Sequence, residues 1–188
     1  MKFVLLLGTQ GAGKSSILSA LKGIDSANLG DLMLEESKKY GIKERDEIRY
    51  NLEDKKIEEI RNKCIRKLLK KSGKMILSTH STIKAGSKFL PGFSEDDMRI
   101  LRGKVESIIY LDAPTEDILE RRRKDKDKRK REEDTREEIE LDRSINISAS
   151  IYMAMYFSAP LYFVMNKKGM LDKAAKEVKE IFGRKHDN

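Results

Sequence analysis

Short apolar runs recur along the chain, separated by stretches in which apolar and charged positions follow a helical period. The first, Phe3-Val4-Leu5-Leu6-Leu7, runs straight into Gly8. A continuous apolar run beside a glycine turn reads as a strand buried on both faces. Ile17, Leu18 and Leu21 follow at helical spacing, so the segment between is a strand-to-helix turn. Similar runs lie at Met75-Ile76-Leu77, Ser107-Ile108-Ile109-Tyr110-Leu111 and Leu161-Tyr162-Phe163-Val164. Between the first two, Ile57, Ile60, Cys64, Leu68 and Leu69 trace one helix face; Leu171, Ala174, Ala175, Val178, Ile181 and Phe182 trace another at the end of the chain. Alternation of this kind predicts an α/β fold, a parallel sheet covered by helices. Two stretches break it and read as long, working loops: Lys84 to Phe93, with Gly86, Pro91 and Gly92, and the charged run Arg121 to Arg136. With 188 residues, no internal repeat and no linker composition, one domain is expected.

The turn after the first strand carries chemistry. Gly8-Thr9-Gln10-Gly11-Ala12-Gly13-Lys14-Ser15 satisfies G-x-x-x-x-G-K-S, a phosphate-binding P-loop, with Ser16 directly behind it. The glycines let successive backbone N–H groups turn toward a triphosphate, and the following helix points its N-terminus at the same charge. Lys14 would reach the β- and γ-phosphates, and Ser15 would offer its hydroxyl to Mg²⁺. The plainer alternative is a glycine-rich turn with a solvated lysine; the buried strand before it and the helix after it favour the nucleotide site.

Composition narrows the partners. Hydrophobic and charged residues each make up 38% of the chain, as in a globular protein. Forty Lys and Arg against 32 Asp and Glu give a net charge of +8, which favours anionic partners. The single cysteine, Cys64, excludes an internal disulfide framework and a multi-cysteine zinc site and fits a reducing cytoplasm; its apolar neighbours point to core packing. The apolar start is too short for a signal peptide, and Ile145 to Val164 is too interrupted for a membrane span.

Beyond the P-loop, four segments carry a family resemblance: Asn28-Leu29-Gly30-Asp31-Leu32-Met33, Arg45-Asp46-Glu47-Ile48-Arg49, Thr79-His80-Ser81-Thr82-Ile83-Lys84 and Phe89-Leu90-Pro91-Gly92-Phe93. Their order and spacing resemble the archaeal-type adenylate kinases over essentially the whole chain. The resemblance implies a P-loop NTPase-type three-layer sandwich, with a five-stranded parallel sheet between helical layers and a short basic lid. It also implies reversible, Mg²⁺-dependent transfer from ATP to AMP, giving two ADP. The expected regions are a P-loop at 8–16, AMP-binding segments at about 28–60 and 78–93, and a lid at about 121–136. Arg49 is assigned to the AMP phosphate, where a bidentate guanidinium suits the ligand, with a solvated helix residue as the alternative. Gly30 and Asp31 would start a helix over the AMP base, Asp31 serving it or only capping the helix. Thr79, His80, Thr82, Pro91 and Gly92 complete the expected AMP site, His80 contacting AMP or shaping its loop.

The run 121–136 holds ten basic and five acidic residues, a local charge of +5. In the kinase reading Arg121, Arg129 and Arg131 fold over ATP and exclude water, Arg121 and Arg131 being catalytic with Lys14 and Arg49. A solvated charged face is the alternative, and nucleic acid is disfavoured because stacking aromatics are missing. Two positions depart from the family: Ser78 stands where relatives carry an acidic residue that holds a magnesium-bound water, and Ile147 stands where they carry an arginine. Asp112 is the expected compensation for the first, and Arg143, one turn from Ile147, is the expected catalytic substitute for the second. Tyr152, Met153, Met155, Tyr156 and Phe157 read as core or as contacts of a homo-oligomer, a trimer by resemblance. Competing functions are a kinase for CMP or UMP, an RNA-binding P-loop NTPase, and a degraded kinase that binds nucleotide structurally.

Overall fold

The computed structural model describes residues 1–85, 88–124 and 134–184. Five parallel strands form one sheet in the order β2-β3-β1-β6-β7. The strands are β1 (Lys2–Leu7), β2 (Ser26–Asn28), β3 (Lys74–Ser78), β6 (Val105–Asp112) and β7 (Leu161–Met165). Strand β1 lies at the centre, and Phe3 to Leu7 are wholly buried, as the continuous apolar run predicts.

Period-two alternation sorts that run onto two cores. Phe3, Leu5 and Leu7 pack with Met75, Leu77, Ile108 and Tyr110 against helices α4 (Asp54–Leu69), α5 (Glu95–Leu101) and α7 (Arg136–Phe157). Val4 and Leu6 pack with Ile76, Ile109 and Val164 against α1 (Lys14–Ala20) and α8 (Leu171–Gly183). Cys64 is buried in the first of these cores. Helix α2 (Leu29–Ser37), a 3-10 turn at Lys38–Tyr40 and the short α3 (Glu47–Asn51) lie between β2 and α4, and α6 (Thr115–Lys124) follows β6.

The structure corrects three expectations. The stretch Lys84 to Phe93 is not all loop: β4 (Thr82–Ala85) and β5 (Lys88–Pro91) pair antiparallel, Thr82 opposite Pro91 and Ile83 opposite Leu90. Thr82, Ile83 and Phe89 suit a pleated surface, and Pro91 ends a strand with no further neighbour to serve. The cap of α2 is Asn28, whose Oδ1 accepts from the N–H groups of Gly30 (2.9 Å) and Asp31 (3.4 Å), so Asp31 lies in the first turn instead. The run 121–136 is helical at both described ends, Arg121 to Lys124 closing α6 and Arg136 opening α7; Arg129 and Arg131 lie outside the described residues.

Candidate active site

Strand β1 delivers the P-loop to the carboxyl end of the sheet, where open α/β folds bind ligands. Two of its glycines are sterically required. Gly8 has φ +144°, and a Cβ there would lie 2.2 Å from the Leu111 carbonyl oxygen at the end of β6. Gly13 caps α1 in the left-handed conformation, and a Cβ there would meet Asn166 Nδ2 at 2.3 Å. Lys14 is buried and folded back on its own loop: its Nζ donates to the carbonyls of Gly8 and Thr9, the latter at 3.1 Å, and stands 3.4 Å from His80 Nδ1. Ser15 and Ser16 are exposed in the first turn of α1.

The loop is held from behind. Thr9 Oγ1 lies 3.0 Å from the phenol of Tyr110, a residue that is wholly buried; burial pushes that phenol up to about 12, so it is neutral. Arg121 donates to the carbonyls of Gly11 (3.2 Å) and Ala12 (3.1 Å), and Asn166 Nδ2 donates to Ala12 at 2.8 Å. Arg122, buried, donates through Nε to the Gln10 carbonyl at 3.0 Å.

A cavity of about 290 Å³ opens over the P-loop, lined by Gln10, Gly11, Gly13, Lys14, Ser15, Ser16, Arg121 and Lys124. A second, of about 110 Å³, lies beside it under α2, where Leu29, Met33, Ile48, Ile57 and Ile83 supply apolar walls and Arg45, Arg49 and Arg61 supply positive charge. Gln10, Asn28, Arg45 and His80 line both, so the two chambers meet there. Each arginine is aimed by a carboxylate: Arg45 pairs with Asp31, Arg49 with Asp46 at 3.3 Å, and Arg61 with the wholly buried Asp97. Asp97 also accepts from Asn62 Nδ2 (3.1 Å) and the Ser94 N–H (2.8 Å), which fixes Arg61 at the cavity wall. Burial, then the positive charges of Lys14 and Arg49, holds the His80 imidazole well below its ordinary value, so the ring is neutral and no ready proton carrier.

The expected AMP-site residues divide. Gly30, Arg49, Thr79, His80 and Gly92 line the second cavity, whereas Asp31 acts through Arg45. Gly92 must be a glycine because a Cβ would lie 1.8 Å from the His80 carbonyl oxygen. Thr82 and Pro91 are opposite partners in the β4–β5 pair beneath. Arg143 grips Asp112, donating from Nε at 2.9 Å and Nη2 at 2.5 Å, and reaches Thr115 Oγ1 at 3.1 Å. Both Asp112 oxygens are therefore engaged, and the Ala113 N–H adds a third bond at 2.9 Å, which corrects the idea that Asp112 stands in for the missing acid. Ser78 is wholly buried, and its Oγ has no hydrogen-bond partner among the described residues. Strand alternation puts it on the face of Ile76 and Leu6, the side on which α1 begins.

Sequence reasoning left Arg45 and Arg61 unranked beside Arg49 and passed over Arg122, Asn28 and Asn166 as site residues. Arg45 and Arg61 stood among undifferentiated basic residues, and Arg122 inside a run of them. Asn166 had one available signal, a lone polar residue just past a strand end, where site residues of this architecture collect.

A family model described as an AAA domain matches residues 7–140. An adenylate kinase from Methanopyrus kandleri is 31% identical over 186 residues, covering 94% of this chain and 95% of that protein. The chain belongs to the adenylate kinase family. The adenylate kinase of Saccharolobus solfataricus, 31% identical, covers 95% of this chain and 97% of that protein, so the match spans both chambers. Membership makes the chain a phosphotransferase of the nucleoside monophosphate kinase class. Among solved structures, a shikimate kinase from Acinetobacter baumannii bound to shikimate is similar at a TM-score of 0.65, with 15% identity, 96% of this chain and 92% of that one covered; the likeness is one of fold. Among the described residues of the chain, no helix is long and apolar enough to cross a membrane.

Proposed function

We propose that the chain catalyses reversible transfer of the γ-phosphoryl group of MgATP to AMP, giving two ADP. The observation that carries this reading is the pair of chambers meeting at Gln10, Asn28, Arg45 and His80, one over a P-loop and one walled by apolar side chains and three arginines. Transfer through a loose transition state calls for positioning and fixed positive charge more than for a base, and the site supplies both. In this reading Lys14 exchanges the Gly8 and Thr9 carbonyls for the β- and γ-phosphates. Arg49 and Arg45 take the acceptor phosphate, Leu29, Met33, Ile48 and Ile83 take its base, and neutral His80 shapes the floor between. Arg121, with Arg129 and Arg131, closes over the donor and excludes water.

The donor set fits a magnesium ion that arrives with its nucleotide. Ser15 and the orphaned Ser78 hydroxyl are neutral oxygens, and among the described residues no group of three or more His, Cys, Asp or Glu could hold a metal alone. Magnesium would neutralise charge on the β- and γ-oxygens. Ser15 would hold it directly and Ser78 through a bound water, while Arg143 anchors Asp112 beside the loop.

The same proposal extends to the whole chain as one kinase domain, with the P-loop at 8–16, the AMP segments at 28–60 and 78–93 and the lid at 121–136, working in the cytoplasm. Copies of the chain would associate through the exposed Ile151, Tyr152 and Met155 of α7, whose neighbours Met153 and Phe157 turn into the core. The deciding experiment incubates the protein with MgATP and each nucleoside monophosphate in turn and follows diphosphate formation. ADP formed only with AMP supports the reading. Preferential transfer to CMP or UMP, or phosphate release stimulated by RNA without transfer, overturns it.

A further inference from the structure

Arg122 bonds a protein acceptor through each of its three nitrogens beside the site, yet nothing in the transfer chemistry uses it. It comes from the last turn of α6, is 9% exposed, and packs behind the P-loop, where a Cβ on Gly11 would stand 3.3 Å from its Cγ. Each edge of its guanidinium meets a different partner: Nε the Gln10 carbonyl (3.0 Å), Nη1 Asp134 (2.7 Å) and Nη2 Asp142 (2.9 Å). Two routes then lead to the strand beneath the second chamber. On one, the other Asp142 oxygen accepts from Asn146 Nδ2 at 2.8 Å, and Asn146 Oδ1 accepts the Thr82 N–H at 3.2 Å. On the other, the second Asp134 oxygen lies 3.5 Å from Lys84 Nζ, and the Lys84 carbonyl accepts from Arg49 Nη1 at 3.5 Å.

A phosphate ligand for Arg122 is disfavoured by geometry, since each of its three nitrogens already bonds a protein acceptor and the side chain packs against Gly11 behind the loop. Ordinary stabilisation does not explain the arrangement, because a buried ion pair gains little over an apolar replacement of the same volume. What the network does achieve is directional. It ties a main-chain atom of the donor loop to the main chain of β4, beside the chamber that Arg49 lines. Gln10 lines both chambers, so its carbonyl is well placed to relay the position of one ligand to the other.

We propose that Arg122 is a positioning residue that locks the P-loop to the Thr82–Ala85 strand, so that a nucleotide in either chamber sets the geometry of the other. The inference rests on the two-nucleotide reading above. A filled acceptor chamber holds β4, the two carboxylates hold Arg122, and Arg122 holds the crest of the donor loop. Transfer needs both reacting groups within a few tenths of an ångström of their productive positions, which is where a tie of this kind acts.

The test uses the full chain with Arg122→Lys, which keeps the charge but loses the three-way fork, and Asp134→Asn, which cuts the more exposed route and leaves the Arg122–Asp142 pair intact. Arg99→Met, whose guanidinium pairs on the surface with Glu95 and Asp96, is the control. Calorimetry gives the affinity for a non-hydrolysable ATP analogue and for AMP, each alone and with the other saturating; kcat and melting temperature are measured beside it. Each variant should bind either nucleotide alone nearly as wild type does. The gain each nucleotide gives the other, about 5- to 150-fold for a typical coupling, should collapse toward one, with kcat at least roughly tenfold lower. Arg99→Met should keep both. Folded variants that retain the mutual gain and kcat overturn the proposal, as does a wild type whose nucleotides ignore each other, or a loss that tracks the melting temperature and single-nucleotide affinities together. If Arg122→Lys fails to fold, Asp134→Asn decides alone. A wild type that forms no diphosphate overturns the functional reading instead, and the binding measurements, which involve no chemistry, still decide the network.

Discussion

Replacing Arg143 with methionine separates an anchoring role from a catalytic one. The change removes a bidentate clasp on Asp112, a carboxylate that is 6% exposed and would keep only the Ala113 N–H. Breaking a buried pair by deleting one partner costs about 3–5 kcal/mol, and because the guanidinium is partly open to solvent the lower end, about 3 kcal/mol, is expected. For a chain of this size that amounts to a melting point roughly 6–12 °C lower. Adding Asp112→Asn removes the orphaned charge and should recover about half of the loss or more, because the penalty lies in the unpaired carboxylate and not in the missing contact. Urea and thermal unfolding followed by circular dichroism measure both variants, and transfer is assayed well below the lower melting point. A double variant no more stable than the single one refutes the anchoring argument. If the folded single variant binds both nucleotides normally but turns over slowly, Arg143 acts on the reacting phosphates as well.

Lys14→Met should fold normally and lose at least roughly a hundredfold in transfer rate, read by coupled ADP formation, since it removes preorganised charge from the transferring group. Gly92→Ala should cost about 1–3 kcal/mol and raise the KM for the acceptor more than for the donor, because the His80 carbonyl it would strike is backbone; an unchanged acceptor KM counts against the placement of this turn. Burial lifts the Cys64 thiol from 9.0 to about 11 and the Tyr110 phenol from 10.0 to about 12. A raised folded pKa means that the stabilisation is complete below the unfolded value and is lost as pH rises through the folded one. Wild-type stability should therefore decline between about pH 9 and 12, and Cys64→Ala should flatten the part between about pH 9 and 11 in a pH series of urea unfolding.

The central strands and the last helix were legible because burial leaves a mark on every residue: Phe3 to Leu7 need apolar side chains on both faces, and Ala174, Val178 and Ile181 must return to one face of α8. The P-loop was legible for a different reason, since Gly8 and Gly13 answer to steric demands that no other residue meets. The β4–β5 pair was hidden by its own punctuation, as Gly86, Pro91 and Gly92 read as a loop in the sequence although Pro91 is the last residue of β5. Arg45, Arg61 and Arg122 could not be ranked because what distinguishes an aimed arginine from a solvated one is its carboxylate, and those lie 14, 36 and 20 residues away in sequence. Asp31 has a side chain suited to capping a helix, but the extended backbone lies at Asn28, which takes that role.

Strands β1 and β3 are adjacent, parallel and in register, Leu6 opposite Ser78, with the Thr79 N–H donating to the Leu6 carbonyl at 3.1 Å. One ends in the P-loop and the other in the segment proposed to hold the acceptor. The spacing between the two halves of the site is thus gauged by a single rung of the backbone ladder, about 4.8 Å, a ruler that no side-chain substitution can recalibrate. Slipping the register by one residue would turn Leu77 and Ile76 inside out, and slipping it by two would displace one half by about 6.6 Å. Selection on this protein can retune the lining of each chamber, but the gap between them is written into the sheet.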